Sequence, residues 1–340
     1  METLWYIILW TLLGIYILLE GYEFGAGMVY LLFAKTDEEK KKTLKSIRSI
    51  WDANEIWLVA FIGIAYFVFP DFFKRMAEAF SGWFYLFVTA YFVQLITQNL
   101  ILIFFDRPFR KILDWIYGIA NFVIVFILGM FISNILRGNI RDGMPLISEN
   151  FSPFTRQTGY IDWFTLLFII MLGVIILMHG LGWLIHKNRD AYGRKLKFAV
   201  MKLAVASIPL VIALVITIYF IQKDSFRQFL LYPALYIFPI LMISSLIGLI
   251  MIRTYSSENK GFLLATNLFA YFWTGFVILL YPYLVYFHKY AEGISIFETE
   301  FHSLKDYYVQ WWVIGIGGLL ILYSVLVFKY NKGKALMRTE

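Results

Sequence analysis

Nine stretches of this chain are apolar for long enough to cross the roughly 30 Å hydrocarbon core of a bilayer, with short charged or turn-rich segments between them. They run Leu4–Ala34, Ile50–Pro70, Ala77–Phe105, Ile112–Leu136, Ile161–Ile185, Phe198–Ile221, Phe229–Ile252, Phe262–Phe287 and Tyr308–Phe328. Of the 340 residues 61% are hydrophobic and only 16% charged, against about a quarter charged in a soluble domain. Such a chain lacks the polar surface to cover itself in water, so the bilayer is its solvent. The predicted fold class is an all-α polytopic membrane protein with about nine transmembrane helices. The longest loop, Arg137 to Tyr160, divides the spans four and five. The expected organisation is one integral membrane domain over 1–340, with a first four-helix unit at 1–136 and an outside loop at 137–160. Five helices follow at 161–328, then a cytoplasmic tail at 329–340. Two four-helix bundles plus one peripheral helix would satisfy this division. The first segment exceeds what a bilayer needs, so it is expected to tilt or project.

Charge placement gives the chain a direction. With the N-terminus outside, twenty of the thirty Lys and Arg residues fall in inside loops and the C-terminal tail, nine fall outside, and Lys202 lies within a span. This bias predicts an outside N-terminus and a cytoplasmic C-terminus. The net charge of +7 therefore reads as membrane orientation and not as nucleic-acid binding. The first apolar run has no basic n-region and is too long for the h-region of a cleaved signal, so it reads as a retained span. No cysteine occurs, which excludes disulfides, thiolate catalysis and Cys-ligated clusters. Pro209, Pro233, Pro239 and Pro282 fall within spans, where local kinks are expected.

Against this apolar background four carboxylates stand out: Glu20 and Glu23 within the first span, Asp52 and Glu55 at the head of the second. Ionisable groups at membrane depth are costly and usually line a protein interior or a water-filled path. Both pairs are spaced i, i+3, so each occupies one helix face. By the charge-derived orientation Glu20 lies near mid-membrane and the others toward the inner side, an arrangement that reads as a proton or cation entrance. Asp52 and Glu55 have a simpler alternative, since acids at a helix start favour its dipole. Glu20, far from any helix end, does not. Gly21, Gly25 and Gly27 form a small-residue face suited to close approach of another helix. Of four histidines only His179 lies at membrane depth, too few for a chain that ligates several haems, and it reads as a packing or polar-bridging residue. Lys202 is expected to snorkel, and Asn121 and Asn267 to hydrogen-bond between helices.

The stretch Leu19-Glu20-Gly21-Tyr22-Glu23-Phe24-Gly25-Ala26-Gly27 is followed by a charged loop, by Ile50-Trp51-Asp52-Ala53-Asn54-Glu55-Ile56-Trp57-Leu58, and by Phe69-Pro70. This order resembles subunit II of the cytochrome bd-type quinol oxidases. That family shows a (D/E)GF(D/E)xGxG first helix, a WD(G/A)N(E/Q)xWL start to the second and a closing Phe/Trp-Pro. His179-Gly180 and the basic loop Lys187 to Lys197 are similar to the family's fifth helix and following loop. One departure is clear. Where the family's third helix ends in an Arg-rich RxxxFxxR segment, this chain has Gln94, Thr97, Gln98 and Asn99, with no arginine before Arg107.

The resemblance implies a non-haem subunit of an enzyme that oxidises a membrane quinol and reduces O2 to water. Two b-type haems, one d-type haem and the quinol site would lie on a partner, subunit I. The implied proton path on this chain is Asp52, Glu55, Glu20 and Glu23, delivering protons from the cytoplasmic side. A small single-helix subunit and a structural quinone or lipid are further expected companions. Two rivals remain open on the sequence: a proton-coupled membrane transporter, which would also use intramembrane acids, and a purely structural scaffold subunit.

Overall fold

A computed structural model describes residues 2–47, 54–138, 140, 146–147, 159–221, 223–255, 257, 259–287 and 292–297, with isolated helical positions at 315, 318 and 322. Ten α-helices are described: α1 Glu2–Leu32, α2 Asp37–Ile47, α3 Glu55–Val68, α4 Pro70–Ile103, α5 Arg110–Arg137, α6 Trp163–Lys187, α7 Ala191–Ile221, α8 Lys223–Leu231, α9 Ile237–Ile250 and α10 Asn259–Leu280. Among the described residues seven stretches are long and apolar enough to cross a membrane: α1, α4, α5, α6, Ala191–Phe220 of α7, Pro233–Ile250 and α10. α3 is apolar but shorter, about 21 Å along its axis.

The apolar pattern located these elements but misplaced several of their ends. The run ending at Phe69-Pro70 breaks there because Phe69 leaves the helical region (φ −127°, ψ 61°) and Pro70 takes the first turn of α4, where its missing N–H costs nothing. α4 therefore begins before Ala77 and absorbs the expected outside loop. The segment Phe229–Ile252 is not one helix: α8 stops at Leu231, a 3-10 turn covers Pro233–Tyr236, and α9 follows. Phe262–Phe287 is likewise shorter as a helix. It ends at Leu280, Tyr281-Pro282 is cis, and strand β1 (Tyr283–Phe287) pairs antiparallel with β2 (Glu292–Ser295). The ninth expected span, Tyr308–Phe328, lies outside the described residues apart from those three positions.

Two cycles of packed helices organise the interior. α1, α3, α4 and α5 pack in sequence around one, α6, α7, α9 and α10 around the other, and α6 joins them by packing on both α1 and α5. The α1–α6 crossing is made by glycine. A Cβ on Gly25 would run into the Ile176 carbonyl and the Gly180 backbone, and one on Gly180 into Gly25 and Ala26. In lipid, where burying apolar surface gains nothing between helices, such backbone proximity is the main source of association. Trp273 closes α10 onto α1, with its Nε1 donating to the Trp10 carbonyl at 2.9 Å and its ring filling the space left by Gly14. At the far end of α5, Arg137 pairs with Asp162, which also caps α6 by accepting from the Thr165 N–H at 2.8 Å.

Candidate functional site: a buried acid cluster

Glu20 and Glu23 are each only 3% exposed, in the C-terminal half of α1. Glu55 lies in the first turn of α3, and the α1–α3 packing brings its carboxyl within electrostatic range of Glu20, which in turn interacts with Glu23. Three of the four acids singled out from the sequence thus converge. Asp52 lies outside the described residues.

The cluster is lined with polar groups that the sequence reading did not single out. The Tyr91 hydroxyl, from α4, donates to Glu55 Oε1, and the Tyr22 hydroxyl donates to Glu23 Oε1 at 3.2 Å. Asn54 is buried and its side chain lies within hydrogen-bonding reach of both Glu20 and Tyr22; it makes no side-chain cap to α3. Tyr16, one turn before Glu20, is buried within range of all three carboxylates. In a chain with 23 tyrosines and 34 phenylalanines, nothing in the sequence separates these tyrosines from ordinary packing residues. Gln94, Thr97 and Gln98 carried a weak signal, being spaced i, i+3, i+4 in α4. All three are buried, and Gln94 Nε2 donates to Gln98 Oε1 at 3.2 Å. Amides therefore occupy the wall where the resemblance would place arginine.

The three glycines meet different neighbours. Gly25 makes the α1–α6 crossing; Gly27 faces the Asn121 amide, which a Cβ would strike; Gly21 looks toward His179 and Ile176 with room for a methyl group. His179 is buried, its Nε2 3.1 Å from the Leu18 carbonyl and its ring stacked on Phe262 at 5.4 Å. Among the described residues no group of three or more His, Asp or Glu is arranged to hold a metal ion.

Below the cluster, α2 is strapped across the helix ends by charge. Arg110 donates to Asp37 at 2.6 Å, Lys40 to Asp114 at 2.6 Å, and Lys195 to Glu39 at 2.7 Å. Lys42 pairs with both Asp190 and Glu38. The Arg110 guanidinium holds the Asp37 carboxyl below its usual range, and the Lys42 ammonium does the same for Asp190. On the opposite side of the cluster, an apolar groove of about 510 Å³ opens between α1, α3, α4 and α5, lined by Leu13, Phe61, Phe72, Phe80 and Phe131 among others.

A polytopic helical protein with a tyrosine-lined acid cluster buried at membrane depth is the class these features define. The family model for cytochrome bd terminal oxidase subunit II matches residues 1–330, and the chain belongs to that family. It is 25% identical over 185 residues to the cytochrome bd ubiquinol oxidase subunit 2 of Bacillus subtilis (strain 168), covering 53% of this chain and 52% of that protein. It is 25% identical over 138 residues to the cytochrome bd-I ubiquinol oxidase subunit 2 of Escherichia coli (strain K12), covering 40% and 36%. The chain spans about half the length of the first of these curated relatives, and less of the second. In fold it is similar to a chain of the bd oxidase from Geobacillus thermodenitrificans, with a TM-score of 0.58 at 13% identity over 99% of this chain and 97% of that one.

Proposed function

We propose that this chain is the haem-free subunit of a membrane quinol:O2 oxidoreductase, and that its acid cluster supplies protons from the cytoplasmic side for the reduction of O2 to water. Family membership supports the oxidase setting. The observation that carries the proton role is the convergence of Glu20, Glu23 and Glu55, reached from two helices and hydrogen-bonded by Tyr91 and Tyr22. Two buried acids with a third half-buried beside them are destabilising in a bilayer unless paired or neutralised. A site that can take up and release protons among them turns that cost into a function. Asp52, five residues after the end of the strapped α2 helix, is proposed as the inner mouth.

The haems, two b-type and one d-type, and the quinol site are assigned to a partner subunit. His179 supports this assignment, because its Nε2 faces the Leu18 carbonyl and Phe262 covers one face of its ring. The apolar groove beside α3 and α4 has the character to hold a structural lipid or quinone tail. We read the architecture as two four-helix units with the ninth helix added at the periphery, its N-terminus outside and C-terminus cytoplasmic.

The test is purification of the tagged chain from its native membrane, followed by a reduced-minus-oxidised spectrum and a quinol oxidase assay. Co-purifying haem bands with quinol-driven O2 consumption are expected. A homogeneous, haem-free protein without a partner would contradict the proposal.

A further inference from the structure

The seam between Glu23 and Tyr30 is lined by buried polar side chains. Seven residues separate these two positions on α1, about 10 Å along the axis. The facing wall is built by Gln94, Thr97 and Gln98 of α4 and by Tyr117 and Asn121 of α5, all buried. Tyr117 is fully buried and its hydroxyl makes no hydrogen bond of good geometry, although the Gln94 and Asn121 amides lie beside it and Glu23 is within electrostatic range. Asn121 Nδ2 donates to the Tyr117 carbonyl at 2.8 Å, which leaves its buried Oδ1 without a partner. Buried polar atoms of this kind are in most proteins satisfied by ordered water bridging two to four of them. Here the unpartnered hydroxyl and amide oxygen, with Gln94 and Glu23 around them, supply such a set of partners.

The seam also reaches the surface. The Tyr30 ring packs edge-on to Tyr117 at 5.4 Å between centroids. Its hydroxyl donates to Asp114 Oδ1 at 2.5 Å, and the other oxygen of Asp114 accepts from Lys40 at 2.6 Å. Arg110 and Asp37 complete this ionic group. Lys40 is partly exposed, with 20% of its side chain accessible, so the group meets water at the α2 face.

We propose that this seam is a hydrated branch through which the acid cluster exchanges protons with the aqueous phase at the α2 face, separately from the mouth at Asp52, with the Tyr117 hydroxyl as its central link. The branch rests on the proton-delivery reading of the cluster. Along it each oxygen accepts a proton from one neighbour as it releases its own to the next, so neither tyrosine keeps a net charge. The Asp114–Lys40–Arg110 group anchors the Tyr30 hydroxyl at the outer end, while Glu23 receives or yields the proton at the inner end.

The test is made in the complex assembled with its haem-bearing partner. Tyr117→Phe keeps the ring and removes only the hydroxyl. It is expected to lower quinol-driven turnover by about twofold, because removing a proton-transfer group here closes one of two entrances, and to raise the solvent deuterium isotope effect, with haem content unchanged. Tyr30→Phe, at the edge of the seam, is expected to act in the same direction and serves as the test should Tyr117→Phe fail to assemble. Glu20→Gln separates the two levels of the argument. If it slows turnover while both tyrosine variants keep wild-type rates and isotope effects, the branch is overturned and the role of the cluster stands. If Glu20→Gln and both tyrosine variants all behave as wild type, both are overturned.

Discussion

Asp52 and Glu55 open the second span, where a helix cap and a proton relay compete as explanations. An N-cap acid is worth about 1 kcal/mol and asparagine replaces it with little loss, whereas an amide cannot release a proton at working pH. Asp52→Asn is therefore expected to reduce quinol-driven O2 consumption by about twofold, the share carried by one of two entrances for protons, while haem content stays intact; unchanged turnover would leave Asp52 as a cap. Glu55 already departs from the cap reading, since its carboxylate accepts from Tyr91 of another helix. At the α1–α6 crossing the expectation is steric. Gly25→Ala places a methyl group against the Ile176 carbonyl and the Gly180 backbone, neither of which can rotate away. Overpacking of this kind costs roughly 1–3 kcal/mol, so the variant should show a lowered thermal midpoint in detergent. Gly21→Ala, with ordinary contacts around it, should show almost none. The four acids were legible in the sequence because charge is conspicuous in an apolar span. Tyr16, Tyr91 and Tyr117 were not, because a buried tyrosine that serves a carboxylate has the same one-dimensional signature as one that fills a gap.

Among the elements, hydropathy located the long spans but could not place all their ends. Tyr283 to Phe287 reads as a continuation of the α10 apolar run and instead forms a strand, since an apolar stretch rich in aromatic and β-branched residues suits either state. The break at Pro233 had a visible cause, but a proline in a membrane helix produces anything from no interruption, as at Pro209 inside α7, to the full stop between α8 and α9. Tertiary surroundings decide which. α2 is legible as charged but not as a strap, because its partners Arg110, Asp114, Asp190 and Lys195 come from three other segments. Its docking should depend on pH in a defined direction. Asp37 and Asp190 are held below their ordinary range by Arg110 and Lys42. Such carboxyls contribute stability that is fully present above the unfolded value, near 3.9, and lost as pH falls through the lower folded one. Hydrogen exchange of the α2 amides, corrected for intrinsic rates, should therefore show constant protection from pH 8 to about 4 and falling protection below. Loss of protection between pH 8 and 6 would contradict this.

At the scale of the whole molecule, the proposed orientation rests on the distribution of basic residues. Reporter fusions at Glu340 and within the loop between Arg137 and Tyr160 are expected on opposite sides of the membrane; the same side for both would break the nine-span arrangement. On the proposed orientation α2 would face the cytoplasm, with Glu20 and Glu23 between that face and the bilayer centre. We propose a helix-packed subunit whose carboxylates, drawn together by the α1–α3 packing, take up protons that a haem-bearing partner consumes. Glu20 is the residue in which that account has least freedom, because it is buried, far from any helix end, and within electrostatic range of Glu23 and Glu55. The most direct measurement is quinol-driven O2 consumption by the assembled complex carrying Glu20→Gln, with the haem spectrum recorded on the same sample. The account predicts a normal spectrum with turnover reduced at least about tenfold; a normal spectrum with wild-type turnover would contradict it.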